Sequence, residues 1–137
     1  MKRKAFRPVT ILIVAALVCC SLIGIGSAAA RFAYFRSIAK TIVMTDDGIR
    51  WAGEAMAWPF DEITDTEVYV RLQVSTSVGW GTVDSDRDKV SGLNVGAGGT
   101  YADWQANKEY RVAVEAWCYN GDEELEYVGP FYEYLTT

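Results

Sequence analysis

Histidine is absent from all 137 residues. This excludes imidazole-based acid–base catalysis and the commonest nitrogen ligand for metals. Cysteine is nearly absent. There are three, and Cys19 and Cys20 fall in the apolar N-terminal run. Cys118 has no partner thiol in the remainder, so an intramolecular disulfide there is excluded and any fold must rest on its core. Positive charge is equally thin. Lys2, Arg3, Lys4 and Arg7 open the chain. Without those four, nine Lys and Arg stand against 18 Asp and Glu, a net charge of −9. So acidic a domain lacks the basic patch that nucleic acid or anionic lipid requires. No stretch beyond the first 30 residues carries a strong helix pattern.

What those 30 residues do carry is a three-part layout: the basic start, an uncharged apolar run over 9–25, and the small residues Ser27 to Ala30. That is the design of a secretory signal peptide, with Ala28-Ala29-Ala30 placing the cut before Arg31. The competing reading is a retained membrane anchor, since 9–30 is long enough to span a bilayer. Cys19 stands where a lipoprotein leader has a small residue, against lipid attachment at Cys20. Either reading puts residues 31–137 outside the cytoplasm, as a secreted or surface-held domain that meets a membrane only through 9–30.

The clearest strand is 110–119. Tyr110, Val112, Val114, Ala116 and Cys118 share one face, and Arg111, Ala113, Glu115, Trp117 and Tyr119 the other. Asn120-Gly121 ends it with turn chemistry. Strand three, 67–75, alternates in the same way, with Val68, Val70, Leu72 and Val74 inward. Asp46-Asp47-Gly48 turns a hairpin between strands at 41–44 and 48–58, and residues 31–40 stay ambiguous. Pro59 interrupts the chain. Short strands follow at 80–83 and 100–104 on either side of an irregular stretch, 84–99. The seventh strand covers 124–135. A four-residue loop, 120–123, is expected to set Cys118 against Leu125, Ala116 against Tyr127, Val114 against Gly129 and Val112 against Phe131. Seven strands with frequent turn signals predict an all-β, two-sheet sandwich after an N-terminal hydrophobic helix.

Trp104 and Tyr110 carry a resemblance. Their six-residue spacing resembles the tyrosine corner of fibronectin type III and immunoglobulin domains, although Ala106 and Asn107 replace the Pro and Gly common there. The resemblance implies that the Tyr110 hydroxyl bonds backbone just upstream. The chain is also similar to small exported proteins of Gram-positive bacteria with no assigned function, through Asp47-Gly48, Asp61-Glu62-Ile63, Leu72-Gln73 and Trp80. That likeness implies no active site.

Chemistry-bearing clusters are few. Asp84, Asp86 and Asp88 alternate as calcium ligands do, but Lys89 and Val95 stand where an EF-hand loop needs Gly and Glu. They read as a solvated acidic loop, and Asp122-Glu123-Glu124 as a loop tip. Glu115 and Glu126 are a carboxylate pair expected to face solvent on neighbouring strands, with no sign of desolvation to mark a catalyst. Cys118 reads as a buried thiol without a partner base. No cofactor or metal motif is present, and the chain reads as a non-enzyme. The aromatics are the unusual quantity: five Trp and eight Tyr, all beyond residue 30. Trp51, Trp104, Tyr110 and Tyr127 are assigned to the core. Tyr69, Arg71, Glu115, Trp117, Val128 and Tyr132 are expected on one outward sheet face, with Arg111 opposite Tyr132 and Glu115 opposite Val128. Of these, Tyr69, Arg71, Trp117 and Tyr132 are the candidate ligand contacts, for a protein or a glycan. A structural or surface-displayed domain with no specific ligand is the alternative, and a carboxylate-dependent hydrolase comes third.

Overall fold

A computed structural model describes residues 32–137; the leader and its cleavage point lie outside the described residues. Seven strands form two antiparallel sheets packed as a sandwich: β1 (Phe35–Thr45), β2 (Gly48–Ala57), β3 (Asp65–Thr76), β4 (Gly79–Val90), β5 (Asn94–Tyr101), β6 (Glu109–Asn120) and β7 (Glu123–Thr136). One sheet has the order β1-β2-β5, the other β4-β3-β6-β7.

The inward faces match the period of two. Val68, Val70 and Leu72 of β3, with Val112, Val114, Ala116 and Cys118 of β6, are fully buried. They pack on Ile49, Trp51, Ala55 and Ala57 of β2. Gly53 sits at the centre of this contact, where an added Cβ would lie 2.7–2.8 Å from methyls of Val114 and Val70. The absence of a side chain there lets the sheets approach. Tyr110 is 2% exposed, and its Oη accepts the Gln105 N–H at 2.9 Å, the upstream backbone contact that the tyrosine-corner spacing implies. Trp104 departs from expectation: it lies in the β5–β6 loop and is 39% exposed, not in a strand or the core.

Three strands differ from the sequence reading. β1 begins at Phe35, so the ambiguous segment is mostly strand. A bulge beside Ser37 hides its alternation, and Lys40 reaches Glu133 of β7 at 3.8 Å. β4 and β5 fill the stretch expected to be irregular. β4 pairs Asp84 with Leu72, Asp86 with Val70 and Asp88 with Val68, so its inward positions are acidic, which inverts the usual polarity. Each of these Asp accepts the N–H of the next residue through Oδ1, at 3.0–3.1 Å. Asp86 also takes the Gly98 N–H of β5 on Oδ2 at 3.2 Å. This carboxylate joins the two sheets along one side. They are strand residues, not a solvated loop. β5 carries glycines because an added Cβ at Gly98 would run into the backbone of Trp51 and Ala52.

The register of β7 is the main correction. The turn tightens to Gly121-Asp122, with Asn120 opposite Glu123 and Tyr119 opposite Glu124, the alignment that the expected loop would give at its tip. Two bulges then displace the strand. The first, at Leu125, sets Glu126 against Cys118, Tyr127 against Trp117 and Val128 against Ala116. The second, at Gly129-Pro130, sets Phe131 against Val114, Glu133 against Val112 and Tyr134 against Arg111. Gly129 has φ +111, and a Cβ there would meet Val114 O and the Glu115 backbone. Pro130 has no N–H to donate, so an edge-strand bulge suits it. Val128 therefore turns inward, 7% exposed, and Tyr127 outward, 42% exposed, the reverse of their expected places. Glu126 lies on the inward side at the sheet edge. Its carboxylate accepts the N–H groups of Ala33, Tyr34 and Phe35 at 2.8–3.2 Å, and so pins the entry to β1 on this side of the sandwich.

Candidate binding face

The outward positions of β4-β3-β6-β7 form one surface. Tyr69 and Arg71 on β3, Glu115 and Trp117 on β6, and Tyr132 on β7 all fall there, so the four candidate contacts share a face. The structure adds Arg87 and Lys89 from the stretch expected to be irregular, Tyr127 from the expected core, and Trp80 and Tyr134, which were expected in strands but not on this face. The available signal for Arg87 and Lys89 was their alternation with the acids of β4, since residues between inward positions must point outward.

The chemistry of the face is guanidinium over aromatic ring. Arg87 Cζ lies 5.2 Å from the centroid of Tyr69 and 5.0 Å from that of Trp117. Arg71 lies 5.5 Å from Tyr69, and Lys89 Nζ 4.0 Å from Tyr119. Arg111 Cζ is 3.9 Å from Tyr132 and 4.3 Å from Trp80. Arg111 does not pair directly with Tyr132 as expected; it reaches that ring diagonally while Tyr134 stands opposite. Trp117 and Tyr127 stack at 5.1 Å, tilted by 41°. Such contacts contribute about 0.5–1 kcal/mol each at exposed sites and more as water is excluded.

Carboxylates hold part of this layer. Arg87 pairs with Glu67 at 2.9 Å and Arg71 with Glu115 at 3.2 Å. Tyr127 donates its hydroxyl to Glu115 at 2.6 Å. Partial burial, then this bond and the charge of Glu115, push the Tyr127 phenol up to about 12. Burial, followed by the charges of Glu67 and Glu124, raises Tyr119 as well. These tyrosines stay neutral donors across ordinary pH.

Two other expectations meet the geometry differently. Glu115 lies on the outward face and Glu126 on the inward side of β7, so this carboxylate pair is not brought together across one surface. Cys118 is fully buried, as expected, and burial, then the neighbouring Glu126, push its thiol up to about 11. Among the described residues, no group of three or more Asp, Glu or Cys is arranged to hold a metal ion.

No protein-family model matches this chain, and no curated protein matches it, so its functional reading rests on this face.

Proposed function

We propose that the chain is an exported, non-catalytic recognition module that binds a protein or glycan through the outer face of β4-β3-β6-β7. One observation carries the reading. Four of the eight Lys and Arg after residue 31, namely Arg71, Arg87, Lys89 and Arg111, lie over aromatic rings on this one face. In a domain with 18 acids, concentrating half the cations beside seven Trp and Tyr makes a surface unlike the rest. Arg, Trp and Tyr are the residues that most often anchor interfaces. Export follows from the leader motif. The tyrosine-corner contact of Tyr110 favours a fibronectin type III or immunoglobulin-like ancestry, a fold group that often serves recognition, and a Gram-positive source rests on the separate likeness through Asp47-Gly48, Asp61-Glu62-Ile63, Leu72-Gln73 and Trp80.

The second reading, a displayed structural domain with no specific ligand, draws on the ion pairs Arg87–Glu67 and Arg71–Glu115, which satisfy part of the face internally. A glycan array and a pull-down from cell-surface extracts, both run with wild type and with the Trp117→Ser/Tyr132→Ser double variant, separate the two. A recognition module gives a ligand that the double variant loses while it remains folded by circular dichroism. A ligand retained by the folded double variant, or none in either screen, removes the reading.

A further inference from the structure

The face divides into two electrostatic halves. In one, each guanidinium has its carboxylate, Arg87 with Glu67 and Arg71 with Glu115. In the other, Arg111 has no carboxylate partner among the described residues. Its Nε donates to the neutral amide oxygen of Gln73 at 2.8 Å, and Gln73 Nε2 in turn donates to Thr82 Oγ1 at 3.3 Å. All four strands build this half: Trp80 from β4, Gln73 from β3, Arg111 from β6, and Tyr132 and Tyr134 from β7. Trp80 meets Tyr134 edge-on at 5.9 Å, and Tyr132 lies 6.4 Å from Tyr134. Tyr134 is 52% exposed.

An uncompensated cation is out of character here. Residues 32–137 carry 18 acids against eight Lys and Arg, yet none of those acids reaches Arg111. A guanidinium has five N–H donors in one plane. Gln73 takes one, and Trp80 and Tyr132 lie against the cation. The terminal N–H groups remain, in the fork that matches a carboxylate with two parallel bonds. We propose that Arg111 is the anchor of the face, and that it takes an acidic side chain from a peptide segment of a partner protein, with Trp80, Tyr132 and Tyr134 as the apolar walls. This rests on the reading of the face as a recognition surface, and names its partner's chemistry.

A peptide is favoured over a sugar because the rings already carry cations. Arg111 lies over Trp80 and Tyr132, and Arg87 over Tyr69 and Trp117. A sugar ring needs an open aromatic platform to stack on, whereas this half offers in-plane donors and ring edges. Rings flanking a rigid, partly desolvated Arg also strengthen its pairing with an incoming carboxylate.

The test is a titration followed by NMR on the Nε–Hε signal of Arg111 and the indole N–H signals of Trp80 and Trp117. The probes are an acetylated and amidated hexapeptide AFEEFA, its neutral counterpart AFQQFA, and trigalacturonate as an acidic sugar. The acidic peptide is expected to move the Arg111 and Trp80 signals at up to millimolar concentration, and AFQQFA to leave them in place. Arg111→Lys keeps the charge but loses the fork, and should weaken AFEEFA by about tenfold. Arg50→Gln, which removes a charge from β2 in the opposite sheet, should change nothing. Equal binding of AFQQFA, equal binding by Arg111→Lys, or a response to trigalacturonate without one to AFEEFA overturns the proposal. If AFEEFA moves Trp117 alone and survives Arg111→Lys, the anchor falls while the face remains a recognition surface. If none of the probes moves any of these signals, the anchor falls, and the array and pull-down decide the broader reading separately.

Discussion

The two faces of β6 put neighbouring residues into different chemistries. Inward, Val112, Val114, Ala116 and Cys118 are fully buried in the core between the two sheets. Outward, Arg111, Glu115, Trp117 and Tyr119 lie half-buried in a layer of rings and charges. The inner face is decided by volume, where a methyl group too many has nowhere to go. The outer face is decided by pairing, where a lost partner is replaced by water at small cost. Stability should therefore reside on one side of the strand and recognition on the other.

The strongest way to break this division is to fill the inner contact. Gly53→Val drives methyl groups into Val70 and Val114 and should cost about 3 kcal/mol or more by urea unfolding. A second effect on the same side appears with pH. The folded chain holds the Cys118 thiol neutral up to about pH 11, against an ordinary value of 9.0. The unfolded chain ionises first, so this contribution is intact below pH 9 and is lost as the pH rises toward 11. A tenfold difference in acidity between the folded and unfolded thiol corresponds to about 1.4 kcal/mol, so stability should fall by about 2–3 kcal/mol across that window. Cys118→Ala should remove this part of the alkaline slope, although it costs some stability at neutral pH. Tyr127, raised to about 12, adds a small loss in the same direction above its ordinary 10.0.

Smaller effects sharpen the comparison. The double variant Trp117→Ser/Tyr132→Ser loses ring contacts on a half-buried surface and should cost about 1–2 kcal/mol, which leaves the domain folded. A full loss of folding would mean that the outer face is structural after all. Tyr110→Phe removes the acceptor of the Gln105 N–H. Gln105 is exposed, so water takes over, and the cost should be about 1 kcal/mol by thermal melting. Arg87→Ala breaks one ion pair and two ring contacts at an exposed site, and about 0.5 kcal/mol is expected.

The parts of the fold that were legible in the sequence are those with unlike environments on their two sides. β2, β3 and β6 are the inner strands of their sheets, and their alternation gave both their inward sets and the shared outward placement of Tyr69, Arg71 and Trp117; Tyr132 of β7 falls on the same side only because its two one-residue bulges together restore the alternation. β4 was legible only at 80–83, because an edge strand can turn Asp84, Asp86 and Asp88 toward the rim of the core, and a hydrophobic period then has nothing to detect. β5 was legible only at its end, because the glycines before it, required by close backbone approach, look like loop residues. β7 was found as a strand but not aligned along its length. Its bulges at Leu125 and Gly129-Pro130 follow from three-dimensional fit, and each moves every later side chain to a new partner. Arg111 was placed on the right face but opposite the wrong partner, and its lack of a counter-charge became visible only when β4 and β7 brought Trp80, Tyr132 and Tyr134 around it.

The acidic ladder of β4 bears on how the molecule meets others of its kind. A sheet edge with unspent N–H groups is a template for strand addition, and for the fibrillar assembly of identical chains. Here Asp84, Asp86 and Asp88 occupy the donors of Ser85, Arg87 and Lys89, and Asp86 occupies that of Gly98 on the facing edge. An incoming strand would have to displace a series of carboxylates before it formed its first ladder bond. Along this rim the carboxylates guard β4 against β-augmentation and strand-to-strand polymerisation.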